Sequence, residues 1–117
     1  MPASAETAGT SVSARALLEQ IDFGTAPAIL DARSRREFVR GRVPGALHVP
    51  FWTLPIRARS LPVPRDRSVV VYCGYGPRAY LAGAILRWHG FRHISYLKGH
   101  MAGWRRAGLR EEKESGR

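Results

Sequence analysis

A single cysteine, Cys73, occurs in the 117-residue chain, so a disulfide within it is excluded. With no second thiol near any of the four histidines, a zinc site of ordinary ligand spacing is not expected either. Long apolar runs are missing too. Stretches such as Ala79 to Leu86 fall far short of the roughly 18 residues that a membrane span requires, which excludes an integral membrane protein. The first residues, MPASAETAGTSVS, lack the apolar centre of a secretory signal, and their early Glu6 with Arg15 as the one base is unlike an Arg-rich transit peptide. A reducing cytoplasm is the expected compartment. No repeat recurs at a period of roughly 20–50 residues. Acidic residues are scarce, 9 against 19 basic, for a net charge of +10. Such a balance permits an anionic partner, either nucleic acid, an acidic protein or a small anion. The arginines are scattered in pairs without interleaved aromatics, so a solvated basic surface accounts for them and a nucleic-acid partner is unsupported.

What is present is an ordinary globular composition, 44% apolar and 24% charged, of a length suited to one domain. Residues 1–9 read as a loose N-terminus and 110–117 as a charged, frayed tail, leaving a folded unit from Thr10 to Leu109. Ser13 can cap a helix carrying Leu17, Leu18 and Ile21, and Ala28 to Asp31 is a short buried-strand run. Ser34 and Glu37 fit a capping box, predicting a brief helix through Val39 that Gly41 ends. Ala46 to Val49 reads as a strand between Pro-Gly and Pro, and the Pro-containing stretch after it as a short helix or irregular crossover. Ser68 to Tyr72 is the clearest strand, and its consecutive valines place it at a sheet centre. A helix over Ala79 to His89 and a strand over Ile94 to Leu97 follow. The alternation predicts an open parallel sheet with helices on both faces.

In such sheets ligands collect beyond the carboxyl ends of strands, where Cys73 stands. Gly74 and Gly76 can turn successive amides inward into an anion-holding concavity. Pro77 suits the first turn of the next helix, whose positive end faces the loop, and Arg78 adds a fixed charge. These features favour a thiolate nucleophile. The alternative is a small buried cysteine packed beneath a glycine-rich turn.

Three blocks, "LDARSRREFVRGRVPGALHVP", "VVVYCGYGPRAYLAGAILRWHGF" and "YLKGHMAGWRRAGL", resemble the signature blocks of single-domain rhodaneses, sulfurtransferases that carry sulfur as a cysteine persulfide. The resemblance covers Thr10 to Leu109. It implies a three-layer α/β/α fold with a five-stranded parallel sheet of order 3-2-4-5-1, Thr10 to Val12 being the first strand. By resemblance Cys73 is the catalytic nucleophile, and Gly74, Tyr75, Gly76, Pro77 and Arg78 complete the loop that binds persulfide and anionic donor. Asp31, Arg33 and Glu37 match a supporting block, with Asp31 or Glu37 paired to Arg33. Gly99 and Trp104 match a closing block that packs under the loop. Arg42 replaces a histidine and His100 a second glycine, both expected to lie away from the chemistry, while Pro77 removes one loop amide and bears on substrate preference.

The resemblance implies that Cys73 takes sulfane sulfur from a donor such as thiosulfate and passes it to cyanide, a thiol or a protein cysteine, with no metal or organic cofactor. Related folds use a Cys-loop-Arg cradle as a phosphatase or arsenate reductase, but with arginine six positions after the cysteine; here Ala79 holds that place and Arg78 comes at the fifth. A non-catalytic binding module is the remaining alternative. His48, His89 and His93 read as surface or strand-end residues, Tyr75 as solvent-facing or at the pocket mouth, and Trp52 and Trp88 as packing.

Overall fold

In the computed structural model, which describes residues 10–114, strands and helices alternate along the chain. The strands are β1 (Thr10–Val12), β2 (Ala28–Asp31), β3 (Leu47–His48), β4 (Val69–Tyr72) and β5 (Ile94–Leu97). The helices are α1 (Ala14–Phe23), α2 (Arg35–Arg40), α3 (Leu54–Arg57), α4 (Pro77–Trp88) and α5 (His100–Arg106), with short 3-10 turns flanking α3. Every strand pair is parallel, and the sheet order is β1-β5-β4-β2-β3, the expected arrangement read from its other edge. Among the described residues no helix is long and apolar enough to cross a membrane.

Local chemistry sets these elements. The Ser13 hydroxyl accepts the Ala16 amide at 3.1 Å to open α1, and Ser34 and Glu37 form the full capping box that starts α2. Four consecutive β4 residues are buried, which only a central strand covered on both faces allows. The two-residue period of the strand then divides the core. Val69 and Val71, with Cys73 beyond the strand end, pack with Leu30, Ala82 and Leu86, whereas Val70 and Tyr72 pack with Leu17, Val43, Leu97 and Trp104 on the opposite face. Gly83 lets α4 lie directly on β5, since a Cβ there would collide with the Tyr96 hydroxyl.

Four readings change or are extended. The helix after Cys73 begins at Pro77, the residue expected in its first turn, two positions ahead of the apolar stretch read over Ala79 to His89. Trp52 and Trp88 do not pack inside: Trp52 is 56% exposed in the 3-10 turn before α3, and Trp88 is 86% exposed because the inward stripe of α4 runs through Ala79, Ala82, Gly83 and Leu86. Helix α5 is hidden in the sequence by its glycines, and forms because burial of Met101 and Trp104 outweighs their weak propensity. Finally, the segment read as frayed is tied down over Arg110 to Glu114. Arg42 and Glu112 exchange backbone hydrogen bonds at 2.9 Å each way, Arg42 also pairs with the Glu114 carboxylate at 3.2 Å, and the Trp104 indole donates to the Arg110 carbonyl at 2.9 Å. The expected loose segment 1–9 lies outside the described residues.

Candidate functional site

Strand β4 delivers Cys73 to the carboxyl edge of the sheet, and the chain then turns through Gly74, Tyr75 and Gly76 into α4. The Gly76 N–H donates to Cys73 Sγ at 3.0 Å. That approach requires Gly76 at φ 147°, a conformation side chains rarely adopt, and a Cβ there would sit 3.1 Å from the Tyr80 ring. The N-terminus of α4 presents its positive end to the loop. Behind it, the start of α5 fixes the backbone: the amides of Met101 and Ala102 donate to the carbonyls of Cys73 (2.9 Å) and Gly74 (3.1 Å). Cys73 is wholly buried, and Tyr75 at the loop tip is 83% exposed.

Two carboxylate–guanidinium pairs lie beside the loop. Asp31 and Arg33 form the inner one, consistent with one of the two pairings expected for Arg33. The Arg33 amide and Nε donate to Asp31 Oδ1 at 2.9 and 3.0 Å, while Nη2 reaches Oδ2 at 2.8 Å and the Gly41 carbonyl at 2.6 Å. The Tyr72 hydroxyl donates to Asp31 Oδ2 at 2.7 Å and accepts the Val43 amide at 3.0 Å. Burial, reinforced by the Asp31 charge, holds this phenol far above its ordinary titration range.

Glu37 does not pair with Arg33; it takes Arg78 instead, at 2.7 and 3.1 Å through both carboxylate oxygens. The reason is geometric. Capping α2 fixes the Glu37 carboxylate, whose Oε1 accepts the Ser34 amide and hydroxyl at 3.0 Å each, where it meets Arg78 across Gly74. The Arg78 hydrogen bonds hold the Glu37 carboxyl down to about 2, and the pair raises Arg78 in turn. Arg78 Nη2 lies 3.1 Å from where a Gly74 Cβ would stand, so the guanidinium closes over the loop.

A cleft of about 190 Å³ opens alongside, lined by Arg33, Glu37, Arg40, Arg105, Gly74 and Tyr75 among others. Three of these are arginines; Arg33 is neutralised by Asp31 and Arg105 pairs with Glu111 at 3.2 Å, which leaves Arg40 as the lining cation with no carboxylate pairing among the described residues. Arg40 and Arg105 were not singled out in the sequence, where nothing distinguishes them among scattered arginines.

The residues anticipated from the sequence are thus brought to one sheet edge, apart from Trp104. Gly99 turns the chain from β5 into α5 at φ 77°, and Trp104 packs one helical turn away against Tyr72 and Leu17. His100 corrects the reading. Expected to lie away from the loop, it accepts the Cys73 backbone N–H on Nδ1 at 3.3 Å, with its ring edge-on to Tyr80. Burial lowers its pKa.

Residues 13–107 match the Rhodanese-like domain family. The chain is 38% identical over 81 residues to a sulfurtransferase from Allochromatium vinosum, covering 69% of this chain and 74% of that protein. It is 34% identical over 74 residues to the tRNA uridine(34) hydroxylase of Pectobacterium carotovorum, covering 60% of this chain but 21% of that longer protein. The crystal structure of the Alr3790 protein from Anabaena sp. superposes with a TM-score of 0.77 at 29% identity, covering 90% and 94% of the two chains. With the Cys73 loop standing at the end of the central strand of this sheet, the chain belongs to the rhodanese-like domain family.

Proposed function

We propose that the protein is a sulfurtransferase that carries sulfane sulfur on Cys73, from a small anionic donor such as thiosulfate to a thiophilic acceptor. The observation that carries this reading is the Gly76 N–H directed at Cys73 Sγ at 3.0 Å, in a loop closed by the Arg78 guanidinium. An amide donor, the positive end of α4 and a fixed cation are the means by which proteins stabilise an ionised sulfur. Relatives named as sulfurtransferases support the same chemistry.

In the first half-reaction the Cys73 thiolate attacks the outer sulfur of thiosulfate. A sulfur–sulfur bond to Cys73 forms, the bond to the sulfonyl sulfur breaks, and sulfite leaves with that electron pair. Arg40 at the cleft attracts the dianion, and loop amides hold charge as it moves. In the second half-reaction cyanide, a thiolate or a protein cysteine attacks the outer persulfide sulfur and returns Cys73 as thiolate. Cys73 alternates between two covalent states, and the cycle needs no further electron carrier. Because Cys73 has no exposed surface, the loop must open before a donor reaches the sulfur. Phosphoryl transfer fits less well, since Arg78 stands five rather than six positions after Cys73 and both its terminal nitrogens bond Glu37. The reducing conditions a free catalytic thiol requires suit a cytoplasmic setting.

Intact-mass measurement after incubation with thiosulfate tests the reading. The wild-type chain gains one sulfur atom, loses it to cyanide or dithiothreitol, and Cys73→Ala gains none. An unmodified wild-type mass under these conditions would overturn the proposal.

A further inference from the structure

His100 stands apart from the other histidines. It is 4% exposed, it adopts φ 54° as the one described non-glycine residue with positive φ, and its ring reaches into the back of the active loop. A strained backbone at a buried polar residue needs a compensating contact. Here that contact is the Cys73 amide, which donates to Nδ1 at 3.3 Å. An imidazole nitrogen that accepts carries no proton, so the neutral ring holds its hydrogen on Nε2, which faces Gly76; a Cβ on Gly76 would be 3.5 Å from that nitrogen. Gly76 is the residue whose amide donates to Sγ. One ring therefore bonds the first residue of the turn that holds the sulfur and lies beside its last.

We propose that His100 is a positioning residue for the active loop: its neutral imidazole fixes the Cys73 amide through Nδ1, and protonation of the ring releases the loop and switches sulfur transfer off in acid. Imidazolium carries N–H on both nitrogens, so protonation sets a donor at Nδ1 against the Cys73 donor. The ring must rotate or the loop must move, and the Gly76 contact with Sγ moves with it.

The ring transition is read at His100, and the groups that face it are few. From the loop the facing titratable group is Cys73, and from α4 it is Tyr80. Arg78 and Glu37 satisfy each other on the Gly74 side. Lys98, in the turn before α5, is exposed, and the first charged residue after His100 on its own helix is Arg105. Burial alone lowers the pKa of the ring, which places the transition on the acid side of an ordinary histidine.

The kinetic consequence rests on the sulfur-transfer reading, whereas the hydrogen bond does not, and the experiment separates them. Nitrogen-15 NMR of the full chain follows the His100 ring and the Cys73 amide from about pH 8 to about pH 5. Single-turnover persulfide formation from thiosulfate is measured over the same range for wild type, His100→Asn and His100→Gly. Asparagine tolerates positive φ and offers an oxygen acceptor that does not titrate, while glycine removes the acceptor without strain.

The expected result is an Nε2–H tautomer and a Cys73 amide shift with one transition below about 6.5. The wild-type rate falls across that ring transition, the Asn variant lacks the component that follows the ring and keeps only the limb set by the Cys73 thiolate, and the Gly variant is slower by about tenfold at neutral pH. An Nδ1–H tautomer, a Cys73 amide indifferent to pH, or a His100→Asn rate that falls across the same ring transition as wild type would overturn the proposal. Should His100→Gly not fold, the Asn comparison decides. Should no protein transfer sulfur, the function proposed above fails, and the Cys73 amide titration still decides the contact.

Discussion

Asp31 with Arg33 and Glu37 with Arg78 pair the same two chemical groups beside the same strand end, yet they sit in different surroundings. The inner pair is 0% and 2% exposed and is bound on all sides by Tyr72, the Gly41 carbonyl and backbone amides. The outer pair has side chains 37% and 32% exposed and spans the mouth of the loop. A buried charge deprived of its partner has no water to turn to, whereas an exposed one does. Loss of the inner pair should therefore act mainly on stability, and loss of the outer one mainly on the proposed chemistry.

The largest effect is expected at the inner pair. Asp31→Ala strands the Arg33 charge and the Tyr72 hydroxyl together and should destabilise the fold by about 3–5 kcal/mol in urea unfolding. A loss no larger than at Glu37 would erase the distinction. Tyr72→Phe keeps the ion pair but removes the acceptor of the Val43 amide and one donor to Asp31, for about 1–3 kcal/mol by the same assay. Arg78→Ala should reduce the rate of persulfide formation from thiosulfate about tenfold while leaving the urea midpoint near wild type. Equal rates would remove the guanidinium from the proposed chemistry.

The smallest effect is pH-dependent. The folded-state pKa of Glu37 is depressed from 4.5 to about 2, so its contribution to stability is present above 4.5 and fades as pH falls toward about 2. Solvent screening at this exposed position limits it to about 1 kcal/mol or less. The stability difference between wild type and Glu37→Gln should accordingly shrink through that window, and a difference that grows in acid would contradict the assigned pairing.

The sheet and the loop were legible because their signals are local: three consecutive valines before Cys73, glycines flanking Tyr75, Ser34 three residues before Glu37. What escaped is long-range. Glu37 has Arg33 four residues before it and Arg78 41 residues away, and its choice of the latter depends on where α2 sets its carboxylate. His100 is joined to Cys73 only once α5 folds behind the loop, and α5 itself is masked by two glycines. Trp88 reads as core on hydrophobicity alone, but helix phase turns it outward. Nothing in the local pattern told Arg40 and Arg105 from the other arginines before the cleft assembled them.

The clasp between Arg42 and Glu112 moves the practical edge of the folding unit. A chain cut after Leu109 would keep every strand and helix, yet leave the Trp104 indole without its carbonyl acceptor and Arg42 without two carboxylates. Trp104 shares helix α5 with the amides that brace Cys73, so shortening the protein far from the thiol would loosen the very helix on which the reactive turn leans.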